Sequence, residues 1–515
     1  MNSIIFALLA LFALLFVRFI SLEWIGYSRI RKFRQQGLKR CEYVFWPYSL
    51  WLDLYYYFFP GPPGDDHFGG VKRFMSKSEK NEPFVVAAEG GKCWFNLLSP
   101  EAIAEFYKKE IAHTMKMNYF VKLKFLAFFF QNGKEVHEGR ATFSKIFHYS
   151  NVIRLMPQVH QSVKNHVKAL RKRVAEAKDQ RLKMNIKEDF LLDLFEDLTG
   201  CLLLTGAEKK IRATFDGMSI SKVLKKMFDC FEAHPHQLIA WLPFCEELGL
   251  SSYANEFKRL QSGFRKIIAD QYKQRYNSAN EEDLTENSIL DIMVKLNKKS
   301  EKETGKPQFT LEEISNNFEI FQFAGSDTSF QVSCSLMTYL AQPENQEFQE
   351  RLSKEVRTEL DSDEDLDNDK LSSLKELDMC FMETMRLANP AFMIFPRKVV
   401  KDFKICGHQL KKGDIIRQYL VHYQPTHFKD PYKFIPDRFT EEARKKLPKT
   451  MQIPFSHGQR ACVGKYLGEM IVKLIISEIY KNFKIEVEEG YHMKMGLNPI
   501  YGVANPDLIL SLRED

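Results

Sequence analysis

No two cysteines in this 515-residue chain are spaced C-x-x-C, and their number is odd: nine, at 41, 93, 201, 230, 245, 334, 380, 406 and 462. That pattern fits a reducing compartment, with one functional thiol among inert ones. A strong excess of one charge is also missing. Lys+Arg 74 against Asp+Glu 67 leaves +7, which does not argue for nucleic acid as a partner. There is no G-x-G-x-x-G, so the dinucleotide-binding fingerprint is absent. There is no internal repeat and no low-complexity tail, so one large domain is the simplest organisation. What the chain has in abundance is apolar surface. Hydrophobic residues make up 44% and aromatic residues 13%, with 43 Phe, ample for a core and suited to walls around an apolar cavity.

The longest apolar run stands at the N-terminus. Ile4 to Val17 is unbroken, Arg18 can snorkel, and Phe19 to Ile25 is mostly apolar, which approaches the roughly 20 residues a bilayer span needs. No basic segment precedes it, whereas Arg29, Arg31, Lys32, Arg34, Lys39 and Arg40 follow. This order opposes a cleaved signal peptide, and an Arg-rich amphipathic start of mitochondrial type is absent. The expectation is a transmembrane anchor over 1–28 and a basic, proline-containing linker over 29–64 that ends in Phe59-Pro-Gly-Pro-Pro-Gly64. A single globular domain over 65–515 would follow.

Within that domain, Pro83 to Ala88 and Cys93 to Leu98 read as strands, and residues 100 to 390 are mostly helical in pattern. Charged stretches near 276–287 and 300–308 and the acid-rich Asp361 to Lys370 read as surface loops. Thr310-Leu-Glu-Glu313 is a capping box opening a long helix that Pro343 stops after Gln342. In its middle lie Ala324, Gly325, Ser326, Asp327 and Thr328: two small residues, then an acid and an alcohol. A threonine there can hydrogen-bond back to the preceding turn. Glu383 and Arg386 form E-x-x-R, with both side chains on one helical face. Phe434, Pro436, Arg438 and Phe439 form F-x-P-x-R-F.

The run from Phe455 to Gly464 reads F-x-x-G-x-R-x-C-x-G, through Gly458, Arg460 and Cys462. Gly458 permits a tight turn and Gly464 a close backbone approach to a bound group. The segment from Lys465 onward has helical apolar spacing, and a helix dipole starting there would favour an ionised Cys462. The bland alternative is a buried structural cysteine in a glycine-rich loop. It weakens because five signature positions stand together in ten residues.

Taken in order, these motifs resemble those of the cytochrome P450 family, microsomal type, over roughly residues 60 to 510, with sharp motifs only from 310 onward. The resemblance implies a mainly α fold with small β-sheets, and haem b (iron-protoporphyrin IX) held by the Cys462 thiolate. In that frame Phe455 packs beside the sulfur. Arg460, Arg397 and Arg140 meet haem propionates, and Ala324 and Gly325 let haem and oxygen approach the backbone. Asp327 and Thr328 handle protons, while Glu383, Arg386 and Arg438 form a buried ion network. His422 would be structural. Val136 stands where many members have tryptophan, so that indole contact should be missing.

The implied activity is a monooxygenase that inserts one atom of O2 into an apolar small molecule. Having no flavin domain of its own, the chain would take electrons from NADPH-cytochrome P450 reductase, with cytochrome b5 as a further donor. Arg444, Lys445, Lys446 and Lys449 are either a solvated face or part of the donor's docking site. The implied location is the endoplasmic reticulum membrane, with the catalytic domain facing the cytosol. By family position, Met115 to Phe130, Val223 to Leu242, Phe321 to Thr328 and Ala391 to Phe395 line the substrate cavity, and Leu497 to Tyr501 add a fifth stretch. Two rivals remain: a P450-like isomerase or dehydratase that needs no reductase, and a non-enzymatic haem-binding protein.

Overall fold

Thirty-four residues, Asn2–Gln35, form the first helix, α1, in this computed structural model. The structure describes residues 2–39, 41–43, 82–89, 91–116, 132, 140–141, 143–144, 146–200, 214–233, 249–278, 288–360, 367–421, 427–497 and 500–513, with the side chains of 2–12, 15, 42–43, 89, 199, 221, 228, 231–233 and 497 left out. After α1 come β1 (Cys41–Tyr43), β2 (Phe84–Glu89), β3 (Lys92–Leu97), α2 (Pro100–His113) and β4 (Thr114–Lys116). Then follow α3 (Tyr149–Glu176), β5 (Arg181–Asn185), α4 (Leu192–Thr199), β6 (Thr214–Phe215), β7 (Met218–Ser219), α5 (Ile220–Ala233), α6 (Ser252–Ser278) and α7 (Ile289–Thr304). The next elements are α8 (Leu311–Ala341), α9 (Gln346–Glu359), α10 (Asn368–Ser373), α11 (Lys375–Ala388), β8 (Arg397–Val399), β9 (Phe403–Ile405), β10 (His408–Leu410) and β11 (Ile415–Gln418). The chain closes with α12 (Glu441–Lys446), α13 (Lys465–Asn482), β12 (Phe483–Glu486), β13 (Met495–Leu497), β14 (Tyr501–Val503) and β15 (Asp507–Leu512). The expected mainly helical architecture with small sheets is what forms.

These elements fall into two compact units. The first comprises Met1–Met117, Phe392–Pro431 and Lys445–Ala461. Its frame is a six-stranded sheet in the order β1-β2-β3-β11-β8-β4. Strands β2 and β3 pair antiparallel from Phe84↔Leu97 to Glu89↔Lys92, while β3 runs parallel to β11. Phe84, Val85, Val86, Phe95 and Ile416 are all fully buried, so both faces of this sheet are covered. The two predicted strands are thus present, each offset by one residue.

The second unit comprises Asn118–Ala391, Tyr432–Arg444 and Cys462–Asp515. Its axis is α8. Thr310 accepts from the Glu313 amide, and the Glu313 carboxylate accepts from the Thr310 amide at 2.8 Å. The helix ends with Gln342 as C-cap, as the capping box and Pro343 require. Helix α8 is buried over most of its length, and several of its polar residues are satisfied locally or by neighbours. Glu319, for example, accepts from Gln261 at 2.7 Å and from Arg265 at 2.9 Å, both on α6. Helices α3 and α13 are joined by a buried His160–Glu478 contact of 2.6 Å. A three-stranded sheet, β12-β15-β5, closes this unit.

Three expectations are corrected or bounded here. Of the stretch 300–308 read as a loop, Ser300 to Thr304 end α7, because Gly305 at φ +73° supplies the left-handed cap only after them. Residues 29–35, assigned to a linker, continue α1 without a break. Among the described residues no helix is long and apolar enough to cross a membrane. Most side chains of the Ile4–Val17 run lie outside the described ones.

Candidate functional site

The cysteine segment is held from both of its ends. In the first unit, Tyr107 of α2 donates to Gln418 Oε1 at 2.6 Å and shares a 2.7 Å hydrogen bond with Ser456 Oγ. Its ring also stands edge-on to His457 at 5.5 Å. Burial pushes the Tyr107 phenol up to about 12, so it remains a neutral donor. The loop needs this support because Ser456 (φ +65°) and Gly458 (φ +73°) are both left-handed. Only the second is a glycine, which spares it the strain. Phe455 and Arg460 are half-buried, with Arg460 ending a short 3₁₀ turn that begins at Gly458.

In the second unit, Gly464 caps α13, and its carbonyl accepts from the Gly468 amide at 2.9 Å. The helix therefore starts where its apolar spacing predicts, at Lys465, three residues beyond Cys462. Among the seven described cysteines, Cys462 alone is exposed. Cys41, Cys93, Cys230, Cys334 and Cys380 are buried, and burial pushes the thiols of Cys93 and Cys334 up to about 12. Those thiols stay protonated and inert. Cys201 and Cys245 lie outside the described residues.

The acid–alcohol motif sits in the middle of α8. Thr328 Oγ1 donates to the Ala324 carbonyl at 2.5 Å, and Ser326 Oγ donates to Gln322 O at 2.6 Å. The back-bond expected of Thr328 is present, while the helix stays α through the motif. Ala324 and Gly325 are exposed, and a Cβ added at Gly325 would meet nothing within 4 Å. Burial pushes the Asp327 carboxyl up to about 6, against the pull of Lys187 and Lys225. Among the described residues Asp327 has no hydrogen bond, so its proton is uncommitted. An acid near neutrality can both give and take a proton.

Helix α13 reaches α8 beside this motif. Gly468 lies against Ser329, with 3.5 Å from the position of an added Cβ to Ser329 Oγ. The turn that follows Cys462 and the turn that carries Thr328 therefore belong to one packed pair of helices.

The E-x-x-R pair is fully formed. Arg386 donates to both Glu383 oxygens at 2.7 Å, and Arg438 Nε reaches Glu383 Oε1 at 3.3 Å. The Ile435 amide donates to the same oxygen at 2.9 Å, and Arg386 Nη2 reaches the Lys433 carbonyl at 3.2 Å. Glu383 has no exposed surface. The three residues that the sequence groups from separate motifs thus meet around one buried carboxylate.

The expected propionate ligands are less uniform. Arg397 is buried on β8, where its Nε donates to Glu110 and its Nη1 to the Phe395 carbonyl, both at 2.6 Å. Its Nη2 has no partner among the described residues and is the group left for an anion. Arg140 has helical backbone and is half-buried. Val136, His137 and His422 fall outside the described residues.

Parts of the predicted cavity lining are core instead. Phe321 is buried among Phe143, Phe147 and Phe318, with ring centroids 5.0 to 6.3 Å away. Val223, Leu224 and Met227 are buried on α5. Arg444, grouped with Lys445, Lys446 and Lys449 as a basic patch, is held by Asp378 at 2.7 Å, while the three lysines are exposed.

A family model, Cytochrome P450, matches residues 65–510. The chain belongs to the cytochrome P450 family. Members of this family are haem-thiolate proteins, with protoporphyrin IX haem on a cysteine ligand, and act as monooxygenase oxidoreductases.

Thromboxane-A synthase of Rattus norvegicus is 33% identical over 186 residues, covering 36% of this chain and 34% of that one. Cytochrome P450 3A16 of Mus musculus is 25% identical over 415 residues, covering 77% of this chain and 79% of that one. The matched region thus spans only about a third of the thromboxane-A synthase. Among solved structures, the retinoic acid-bound cyanobacterial CYP120A1 shares the fold with a TM-score of 0.70 at 18% identity, over 87% of this chain and 95% of that one.

The donor set here fits the family's cofactor. One thiol is exposed just before a helix start, and a Cβ at Gly464 or Gly325 would meet nothing within 4 Å, so the backbone is open to a flat group.

Four residues of this P450's site escape the sequence motifs. Tyr107 props the cysteine loop, and the charges of Lys187 and Lys225 act on the Asp327 carboxyl. Lys473, buried on α13, bonds Asp378 at 2.9 Å and Glu469 at 2.8 Å. Only Lys473 leaves a trace in the sequence: a lone lysine inside the apolar run Met470 to Ile476.

Proposed function

We propose that this P450 is a membrane-anchored monooxygenase that inserts one oxygen atom of O2 into an apolar organic substrate, using electrons from NADPH through a flavin-containing reductase, NADPH-cytochrome P450 reductase. Cytochrome b5 is a second candidate donor. The observation that carries this reading is the exposed Cys462 next to the cap of α13, together with the intact Asp327–Thr328 pair on the helix packed against it. Bound haem supplies oxygen activation, and a thiolate ligand pushes electron density that favours O–O cleavage.

The remaining roles fall to this chain's residues. Cys462 is the haem ligand, Gly458 and Gly464 shape its loop, and Phe455 shields the sulfur. Arg460, Arg397 and Arg140 take the propionates. Asp327 passes protons to Thr328, whose hydroxyl is held at the Ala324 carbonyl and directs them onward. The reaction balances when two electrons and two protons enter: one oxygen atom goes to the substrate and the other leaves as water. Glu383, Arg386 and Arg438 fix the fold around the haem rather than touch the reacting atoms.

The apolar run of α1 supports a single-pass anchor in the endoplasmic reticulum membrane, with the catalytic domain on the cytosolic side. A second reading has one observation in its favour: two of the relatives are named synthases. An isomerase or dehydratase would need neither a reductase nor the acid–alcohol pair, which this chain retains. Reconstitution with a flavin-containing reductase, NADPH and ¹⁸O-labelled O2 tests the choice. Label in the product at one atom per turnover supports the monooxygenase. Product formed without NADPH and without label supports the rearranging enzyme.

A further inference from the structure

Helix α1 changes its surroundings part-way along. From Glu23 onward it buries Glu23, Gly26, Ile30 and Phe33, a spacing of three or four that puts them on one face. That face lies on the six-stranded sheet. Phe33 stands edge-on to Phe95 at 5.6 Å, and Leu22 comes within 3.1 Å of where a Cβ would stand at Gly91, in the β2–β3 turn. Closer to the N-terminus, Leu14, Phe16, Val17 and Ile20 are exposed to between 50% and 68%. The same helix therefore has one half that needs an apolar medium and another half that is part of the sheet's core.

The second half is fixed to the sheet by an ion pair. Arg29 Nη1 and Nη2 donate to the two carboxylate oxygens of Asp414, each at 2.6 Å. Asp414 is almost fully buried and also accepts from the Cys93 amide at 3.1 Å and the Lys411 amide at 2.8 Å. It immediately precedes β11, which is bonded to β3. A bidentate guanidinium fork on a carboxylate fixes angle as well as distance, unlike an exposed lysine pair. No break in the helix separates Ile20 from Arg29.

We propose that the Arg29–Asp414 pair is a rigid joint that carries the tilt of α1 directly into the sheet, so that on a lipid bilayer the β2–β3 turn at Gly91 is held at the lipid–water boundary. This rests on the reading of α1 as the membrane anchor. The change of environment at Leu22 marks the boundary. Trp24 and Tyr27, exposed and 6.1 Å apart, are amphipathic rings of the kind that settle at headgroup level. Arg31, Lys32 and Arg34 follow, exposed, where they face anionic headgroups. A tethered anchor would leave the catalytic domain free to tumble, whereas a clamped one fixes which edge of the sheet meets the membrane.

The test uses the full-length holoprotein in phosphatidylcholine–phosphatidylserine vesicles that carry headgroup-level quencher lipids. A fluorescent amino acid replaces Lys92, next to Gly91. Strong quenching is expected with Arg29 in place. Arg29→Gln should reduce it by about two-fold or more, with the protein still sedimenting with the vesicles and its haem spectrum unchanged. Arg29→Lys, which keeps the charge without the fork, should fall between the two and serves if the Gln variant fails to fold. Vesicle-bound protein with no quenching at 92, or equal quenching in all three proteins, overturns the joint. Wild-type protein that does not sediment with vesicles overturns the anchor reading, and the joint falls with it.

Discussion

Gly468 of α13 lies directly against Ser329 of α8, so that a Cβ at 468 would stand 3.5 Å from the Ser329 hydroxyl. One helix follows the candidate haem ligand and the other carries the candidate proton relay. Their spacing is set here, at a position with no side chain. A methyl group fits at this distance and a larger side chain does not. Gly468→Ala should therefore retain haem. Gly468→Leu should cost about 1–3 kcal/mol by overpacking and lower the haem-to-protein ratio. Titration of haem content in the two variants checks this.

Removing the charge from Glu383 strands two arginines. Arg386 is buried with it, and Arg438 is mostly buried. Breaking one partner of such a group costs about 3–5 kcal/mol, so Glu383→Gln should express without haem or not fold at all. A Glu383→Gln protein with full haem content and an unchanged thermal midpoint would contradict a scaffold role.

Asp327 gives a signed pH effect. Its folded-state carboxyl is raised to about 6 by burial, above an ordinary aspartate. The folded state then holds a proton that the unfolded chain releases between about pH 4 and 6. Wild-type stability should fall as pH rises through that window. Asp327→Asn should be the more stable protein at neutral pH, by on the order of 2 kcal/mol, and should lose that advantage below about pH 4. In turnover, the same substitution should flatten the decline of coupled product formation as pH rises through about 6. Thermal midpoints and coupling measured across this pH range check both halves.

Thr328→Ala removes the hydroxyl now held at the Ala324 carbonyl. Haem content should stay normal, while hydrogen peroxide release per NADPH rises several-fold. Thr328→Ser should restore most of the coupling. Unchanged peroxide release in the alanine variant would remove Thr328 from the relay.

The sequence made the second half of the site legible because its signals are local. A capping box and a proline bound α8, a glycine-punctuated loop precedes α13, and i,i+3 spacing pairs Glu383 with Arg386. What it could not show depends on tertiary neighbours. Phe321 reads equally well as cavity or core, and only Phe143, Phe147 and Phe318 decide it. Arg444 looks like a surface charge until Asp378, from α11, takes it. Tyr107 lies some 350 residues from the Ser456 that it supports, beyond the reach of any periodicity. The expected α7 boundary failed because charged residues suit a solvated helix end as well as a loop, and Gly305 was the true stop.

The central claim is that Cys462, the exposed thiol among the described cysteines, is the haem ligand. The reduced, carbon monoxide-bound difference spectrum of wild-type and Cys462→Ser protein tests it most directly. The account predicts a strongly red-shifted Soret band in the wild type that is lost in the variant. A red-shifted band that survives in Cys462→Ser, or a wild-type band typical of haem with a neutral ligand, would contradict it.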